Sequence, residues 1–233
     1  MLDNSFRNCG LGLSNNFVVK CAGDDYLVAR NSLCNFCYGG IAVGAWHATT
    51  NPARPSGVVE DNELWYEGDF LERPEQHTLM DSGAIYLFTL NEKCEVRYNY
   101  VHDYTGMKDN RGIFCDDGAR NFNIHGNVVR GIANSYCIDS RREKASEGVN
   151  GPNNVGNVIS GNVVDGAIRF EGNESSDGCT LGVNCRLKAS ASASKADRIR
   201  NVSSQKRIVE ISAPSEARRR LGREYQHIKK YLQ

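Results

Sequence analysis

The chain lacks a net charge, a long apolar run and a second cysteine pair, and each absence removes a class of protein. Lys+Arg and Asp+Glu both total 28 among 233 residues, so no whole-molecule field draws in nucleic acid or an anionic bilayer. No segment approaches the roughly 18 apolar residues of a transmembrane helix. Met1-Leu2-Asp3-Asn4-Ser5-Phe6-Arg7-Asn8 lacks the basic start and apolar core of a secretory leader. Cys34-x-x-Cys37 has no companion pair at zinc-ligand spacing, so the nine cysteines are expected as buried thiols and no metal centre is expected. Cys179 and Cys185 are close enough in sequence to bridge a short loop in an oxidising compartment. Prolines are few, five against 23 glycines, which points to many tight turns.

What the chain does contain is a repeat. Val28-Ala29-Arg30-Asn31-Ser32-Leu33 aligns with segments centred on Asn62, Asn99, Asn127 and Asn162, each a β-branched residue, two others, Asn, any residue and an apolar one. The asparagines recur at intervals of 31, 37, 28 and 35 residues, and a solenoid absorbs such variation in its loops. A second element follows: Gly39–Val43, Ser82–Leu87, Arg111–Cys115, Asn134–Ile138 and Asp165–Phe170. Both elements alternate apolar with other residues, the strand period. Asn tolerates the left-handed conformation of a sharp corner, and its amide can bond to the same amide one rung away. The expected fold is therefore all-β, a single-stranded right-handed parallel β-helix with a short C-terminal helix. A β-sandwich would not repeat an Asn at one corner.

Three segments follow. Residues 1–188 are expected to form the β-helix. The Ala-Ser-rich span 189–206 reads as a flexible connector. Residues 207–233 read as a strand and a helical tail entered at Pro214 with Ser215 as a candidate cap, weakened by Gly222. The tail's arginines and lysines suit a solvated face.

Alignment of the second elements puts Ile85, Ile113, Tyr136 and Ile168 in one inward column. Phe88, Asp116, Asp139 and Glu171 then share an outward one. Neighbouring carboxylates on strands about 4.8 Å apart raise at least one pKa, and a pair about 5–5.5 Å apart suits a retaining glycosidase. Asp116 and Asp139 are the candidate pair, with Asp117, Glu171 and Asp81 beside them. Trp46, Trp65, Tyr66, Tyr86 and Phe114 could stack on sugar rings. His47, His77 and His102 lie near the same face without metal-ligand spacing, and His125, in a corner, reads as structural. Three plainer readings stand beside this one: oxygen ligation of calcium, charge pairing with Arg141, Arg142 or Arg169, and an Asp116-Asp117-Gly118 turn.

Asp81-Ser82-Gly83-Ala84-Ile85-Tyr86, then Gly112-Ile113-Phe114-Cys115-Asp116-Asp117-Gly118 and Asn123-Ile124-His125-Gly126-Asn127-Val128-Val129, resembles the right-handed β-helix carbohydrate-active proteins of bacteria. These include retaining glycosidases and polysaccharide lyases. Leu221-Gly222-Arg223-Glu224-Tyr225-Gln226-His227-Ile228 is similar to the way such chains end. The resemblance implies a secreted, periplasmic or cell-surface enzyme, a carbohydrate substrate, and catalytic acids at Asp81 and at Asp116 or Asp117. Tyr86, Phe114, Glu171, Arg141, His77 and Trp46, around the acidic cluster, are candidate substrate contacts. Members are usually longer, which implies that this chain is the C-terminal part of a larger protein. The Asn-Thr-Asp and Gly-His-Gly segments of polygalacturonases are absent. Asn173 and Asn201 head N-x-S sequons.

Overall fold

The structure, a computed structural model, describes residues 1–10, 16–44, 56–67, 80–88, 93–105, 109–116, 118–132, 135–140, 154–171, 178–187, 198–199 and 208–232. Each coil takes three short strands. β1 (Ser5–Cys9), β2 (Phe17–Cys21) and β3 (Tyr26–Ala29) make the first; β4 (Ser32–Phe36), β5 (Gly39–Val43) and β6 (Ser56–Glu60) the second. β7 (Glu63–Trp65), β8 (Ser82–Phe88) and β9 (Lys93–Arg97) follow, then β10 (Tyr100–His102), β11 (Asn110–Asp116) and β12 (Phe122–His125). β13 (Val128–Arg130), β14 (Tyr136–Ser140) and β15 (Val158–Ser160) make the fifth coil; β16 (Val163–Val164), β17 (Ala167–Phe170) and β18 (Thr180–Leu181) the sixth. β19 (Asn184–Leu187), β20 (Arg198–Ile199) and β21 (Ile208–Ile211) complete the wall.

The first strands of successive coils stack into an eight-stranded sheet, the second into a seven-stranded sheet and the third into a six-stranded one. Pairing throughout is parallel, as in Leu33 beside Leu64 and Val59 beside Val96. The expected parallel β-helix is the architecture.

Apolar alternation fills the interior. One column runs Val28, Val59, Val96, Ile124, Ile159 and Leu181 up the third sheet. Another runs Leu33, Leu64, Val101, Val129 and Val164 up the first. In the second sheet Ile41, Ile85, Ile113, Ile138 and Ile168 share one level. All of these are fully or almost fully buried. Each stacked methyl-bearing layer removes apolar area from water at about 25 cal/mol per Å².

The asparagines form a continuous ladder at the corner between the third and first sheets. Asn31 donates its backbone N–H (3.0 Å) and side-chain amide (2.8 Å) to Asn62 Oδ1. Asn62 repeats both bonds to Asn99, Asn99 to Asn127 and Asn127 to Asn162. Two more rungs extend it: Asn4 donates to Asn31 and Asn162 to Asn184. The second amide proton reaches back to a strand carbonyl, as from Asn99 to Val59 O at 2.9 Å.

One expectation is corrected here. The left-handed residue of the corner is the one before the asparagine: Asp3, Arg30, Asp61 and Tyr98, then Gly126 and Gly161, all with φ between 52° and 68°. The asparagine itself supplies the amide, not the turn. Glycine is needed at 126, where a Cβ would lie 2.6 Å from the Tyr98 ring and 2.8 Å from Glu224 Oε2.

The tail breaks where Gly222 (φ 56°) ends α1 (Pro214–Leu221), and a second helix α2 (Glu224–Ile228) runs into a 3₁₀ turn at Lys229–Tyr231. The N-cap position of α1 is Ala213 rather than Ser215, with Pro214 in the first turn. The tail buries Ala217, Leu221, Ile228 and Leu232 against Val128, Val163 and Cys185 on the outer face of the first sheet. Within the span expected as a connector, Arg198 and Ile199 pair with Arg169 and Phe170 of β17; residues 188–197 and 200–207, with the Asn201 sequon, lie outside the described residues. All nine cysteines are free thiols. Cys179 packs in the interior and Cys185 under the tail, so the two face opposite sides of the wall.

The ladder predicts a graded cost. Asn99→Ala would strand Asn62 N–H and Nδ2 and the Val59 carbonyl, and should cost about 2–4 kcal/mol in chemical denaturation. Asn4→Ala, at an exposed rung, should cost under about 1 kcal/mol.

Candidate active site

The outward face of the second sheet carries Tyr86, Phe114, Asp116 and Asp139 of the expected site residues, and it is largely buried. Its central column runs Ala42, Tyr86, Phe114, Asp139 and Arg169. Phe17, Tyr38, Tyr86, Phe88 and Phe114 pack into a second apolar cluster outside the wall. Glycine at 39 makes room for it, since a Cβ there would lie 2.6 Å from the Phe17 ring. Tyr86 and Phe114 are 1 % and 0 % exposed, so neither presents a ring face to solvent.

The expected acidic column is corrected by the register. Asp139 pairs with Phe114, not Asp116, because Ile138 rather than Tyr136 aligns with Ile113. Tyr136 instead turns outward beneath the Arg169 guanidinium, 4.8 Å from the ring centroid, and a bulge between Tyr136 and Ile138 restores the register with β17. Asp116 is level with Phe88. Asp116 and Asp139 are thus offset by two residues along the strand and one rung across it, about 8 Å of backbone at ~3.3 Å per residue and ~4.8 Å per strand. They do not form the close pair of a retaining site. Glu171 follows Phe170, which is level with Ser140, so it falls two rungs beyond Asp116, about 10 Å away.

Asp139 and Asp116 each have a local partner. Asp139, with no exposed surface, lies between two arginines: Arg111 Nε reaches Oδ2 at 2.5 Å, Arg169 Nε reaches Oδ1 at 2.6 Å, and Arg169 Nη2 also donates to Oδ2. The expected pairing with Arg169 is present, and Arg111 is a second partner that sequence reading missed. Arg111 also stacks 4.1 Å over Phe114. Asp116 Oδ2 accepts from the Tyr86 hydroxyl. Burial, then the Asp116 charge, pushes the Tyr86 phenol far above its ordinary value, which keeps it a donor.

At the rim of this face the structure assembles a pair that the sequence reading half saw. Asp81 precedes β8 and Asp109 precedes β11, and Ser82 N donates to Asp109 O at 3.3 Å. Both carboxylates share Arg111 Nη2, at 3.5 Å from Asp81 Oδ1 and 2.9 Å from Asp109 Oδ2. Ser135 Oγ holds the other Asp109 oxygen at 3.1 Å. Asp81 is 42 % exposed and Asp109 22 %, against 4 % and 0 % for Asp116 and Asp139. The signal for Asp109 was available: Asp109-Asn110-Arg111-Gly112-Ile113 places Asp four residues before its isoleucine, as Asp81-Ser82-Gly83-Ala84-Ile85 does. Trp46, His77, Asp117 and Arg141 lie outside the described residues. Among the described residues, no group of three or more His, Cys, Asp or Glu is arranged to hold a metal ion.

No family model, curated protein or solved structure matches the chain.

The two kinds of acid should separate in stability measurements. Asp139→Asn leaves two buried guanidinium groups short of their counter-charge and should cost about 3–5 kcal/mol. Asp81→Asn, in a long and half-exposed contact, should change the denaturation midpoint by less than about 1 kcal/mol.

Proposed function

We propose that the chain is a carbohydrate-active β-helix that hydrolyses glycosidic bonds of a poly- or oligosaccharide, with Asp81 and Asp109 as its carboxyl pair. One observation carries this reading: two partly exposed carboxylates on adjacent rungs bracket a single guanidinium at the edge of a buried aromatic layer. Adjacent rungs lie about 4.8 Å apart, within reach of the 5–5.5 Å separation of retaining hydrolysis. Asp109, fixed by Arg111 and Ser135, is placed as the nucleophile that attacks the anomeric carbon. Asp81, the more exposed of the two, would give a proton to the leaving oxygen and then take one from the incoming water. Arg111 is a positioning residue that keeps the pair at a fixed spacing. The resemblance of Asp81–Tyr86 to carbohydrate-active β-helices supports the substrate class.

A second reading is favoured by the burial of Asp116, Asp139, Tyr86 and Phe114. On it, the charged lattice is scaffold, and the chain binds or displays glycan without cleaving it. A lyase would instead use a base with an arginine or calcium as charge neutraliser.

A turnover screen against plant and host glycans, with and without calcium, separates these by reading reducing ends and ultraviolet absorbance together. Reducing ends without absorbance, lowered about 10²–10⁴-fold by Asp81→Asn and by Asp109→Asn with the Asp81→Asn melting temperature unchanged, are the expected result. Calcium-dependent absorbance would indicate a lyase. Glycan binding without turnover, surviving both substitutions, would return the pair to the scaffold.

A further inference from the structure

Three histidines fall among the described residues, and all three lie where the C-terminal tail meets the coil. His125, at the end of β12, has a carboxylate at each ring nitrogen. Nε2 is 2.9 Å from Glu95 Oε2 on the neighbouring β9, and Nδ1 is 3.3 Å from Glu224 Oε2 on α2. His227 of α2 stacks on Tyr98 at 4.0 Å and 13°. His102 of β10 lies between Asp103 (2.9 Å) and Glu63 (3.2 Å). It stacks at 4.2 Å on Tyr100, which stacks at 4.6 Å on Tyr231 of the tail. So one histidine bridges the tail to the coil through carboxylates, one lies in the tail against a coil tyrosine, and one supports the coil ring on which the tail's last tyrosine rests.

Imidazole chemistry gives this arrangement a direction. A neutral ring has one N–H and one lone pair, whereas the imidazolium has an N–H at each nitrogen. Nε2 hydrogen-bonds Glu95, while Glu224 Oε2, 3.3 Å from Nδ1, is buried without a hydrogen-bond partner. A neutral ring that donates from Nε2 turns its Nδ1 lone pair on that oxygen, whereas the cation puts positive charge and an N–H beside it. Other groups also face this site: Arg97, level with His125 on β9 and paired with Glu60; Lys93, 3.8 Å from Glu95 Oε1; Asn123, whose amide donates to Glu95 Oε2 at 2.8 Å; and the Tyr98 ring at 5.6 Å. On the far side, Ser160 of β15 is uncharged. Tyr98 stays neutral throughout, because burial and then Glu224 push its phenol up to about 12. A cationic His227 over the Tyr98 face adds attraction of the same sign.

We propose that the tail is a proton-dependent strap. With His125 protonated, Glu224 anchors α2 across the corner to Glu95 and the tail lies closed over the outer face of the first sheet. When His125 gives up its proton the anchor weakens and the tail opens more often, uncovering Val128, Val163 and Cys185. Apolar packing still holds most tails down, so the device tunes the opening.

Hydrogen exchange of the full chain, read by mass spectrometry on peptides covering 214–232 and corrected for the intrinsic pH dependence of exchange, tests this. Tail protection relative to β12 should be roughly fivefold or more higher at pH 5.5 than at pH 8.0. The difference should shrink by at least half in His125→Gln and in Glu224→Gln. The second variant lies outside the coil, so it decides the matter if His125→Gln fails to fold. Equal protection at both pH values, greater protection at pH 8.0, or a wild-type-sized difference in Glu224→Gln would overturn the strap.

Discussion

The corner amide bond between one coil and the next is the interaction on which the rest of the molecule depends. An asparagine there spends both its backbone N–H and its side-chain amide on the following asparagine's oxygen, and it returns a proton to a strand carbonyl. Six such steps from Asn4 to Asn184 fix where each coil starts. With the start fixed, the period-two alternation of each strand decides which side chains fall inside. Loops between the strands are then free to differ, which is why coils of very different length stack on the same wall.

The outward face of the second sheet shows what happens when such a wall is covered twice. Aromatic rings form a layer beyond the strands, and charged residues placed among them must be satisfied without water. Asp139 meets that condition with two arginines, each with its guanidinium over an aromatic ring. Removing both charges and refilling the space with apolar side chains could leave stability unchanged, whereas removing one could not. The lattice is therefore stronger as a constraint on geometry than as a source of stability. What it fixes is the position of Arg111, and through Arg111 the spacing of the two acids at the rim.

Much of the coil is legible in the sequence because the ladder asparagine and its β-branched neighbour recur together. The template fails where that neighbour is not β-branched, at Met1-Leu2-Asp3-Asn4 and at Leu181-Gly182-Val183-Asn184, so the end rungs are invisible to it. The left-handed position was misplaced by one residue because Asn is itself a tolerant turn former, while the chain uses Tyr98 or Arg30 there and over-determines their backbone with the ladder. The site was less legible. Tyr136 and Ile138 are both apolar at the same strand parity, so alternation could not choose between them. The deciding contact is the Arg169 guanidinium over Tyr136. A small residue directly before each isoleucine, at Gly40, Ala84, Gly112, Cys137 and Ala167, would have aligned the rungs correctly and removed Asp139 from the acidic column.

The ladder also has a polarity. From Asn31 to Asn162 each asparagine accepts at Oδ1 from the coil before it and donates its backbone N–H and one amide proton to the coil after it, so the side-chain amide dipoles point the same way along the solenoid axis. Aligned amides polarise one another, and as in an α-helix their partial charges cancel along the row and survive only at its ends. Along the described row the oxygens face toward Asn4 and the donating amides toward Asn184. A molecule with no net charge therefore has an electrical direction written into its scaffold.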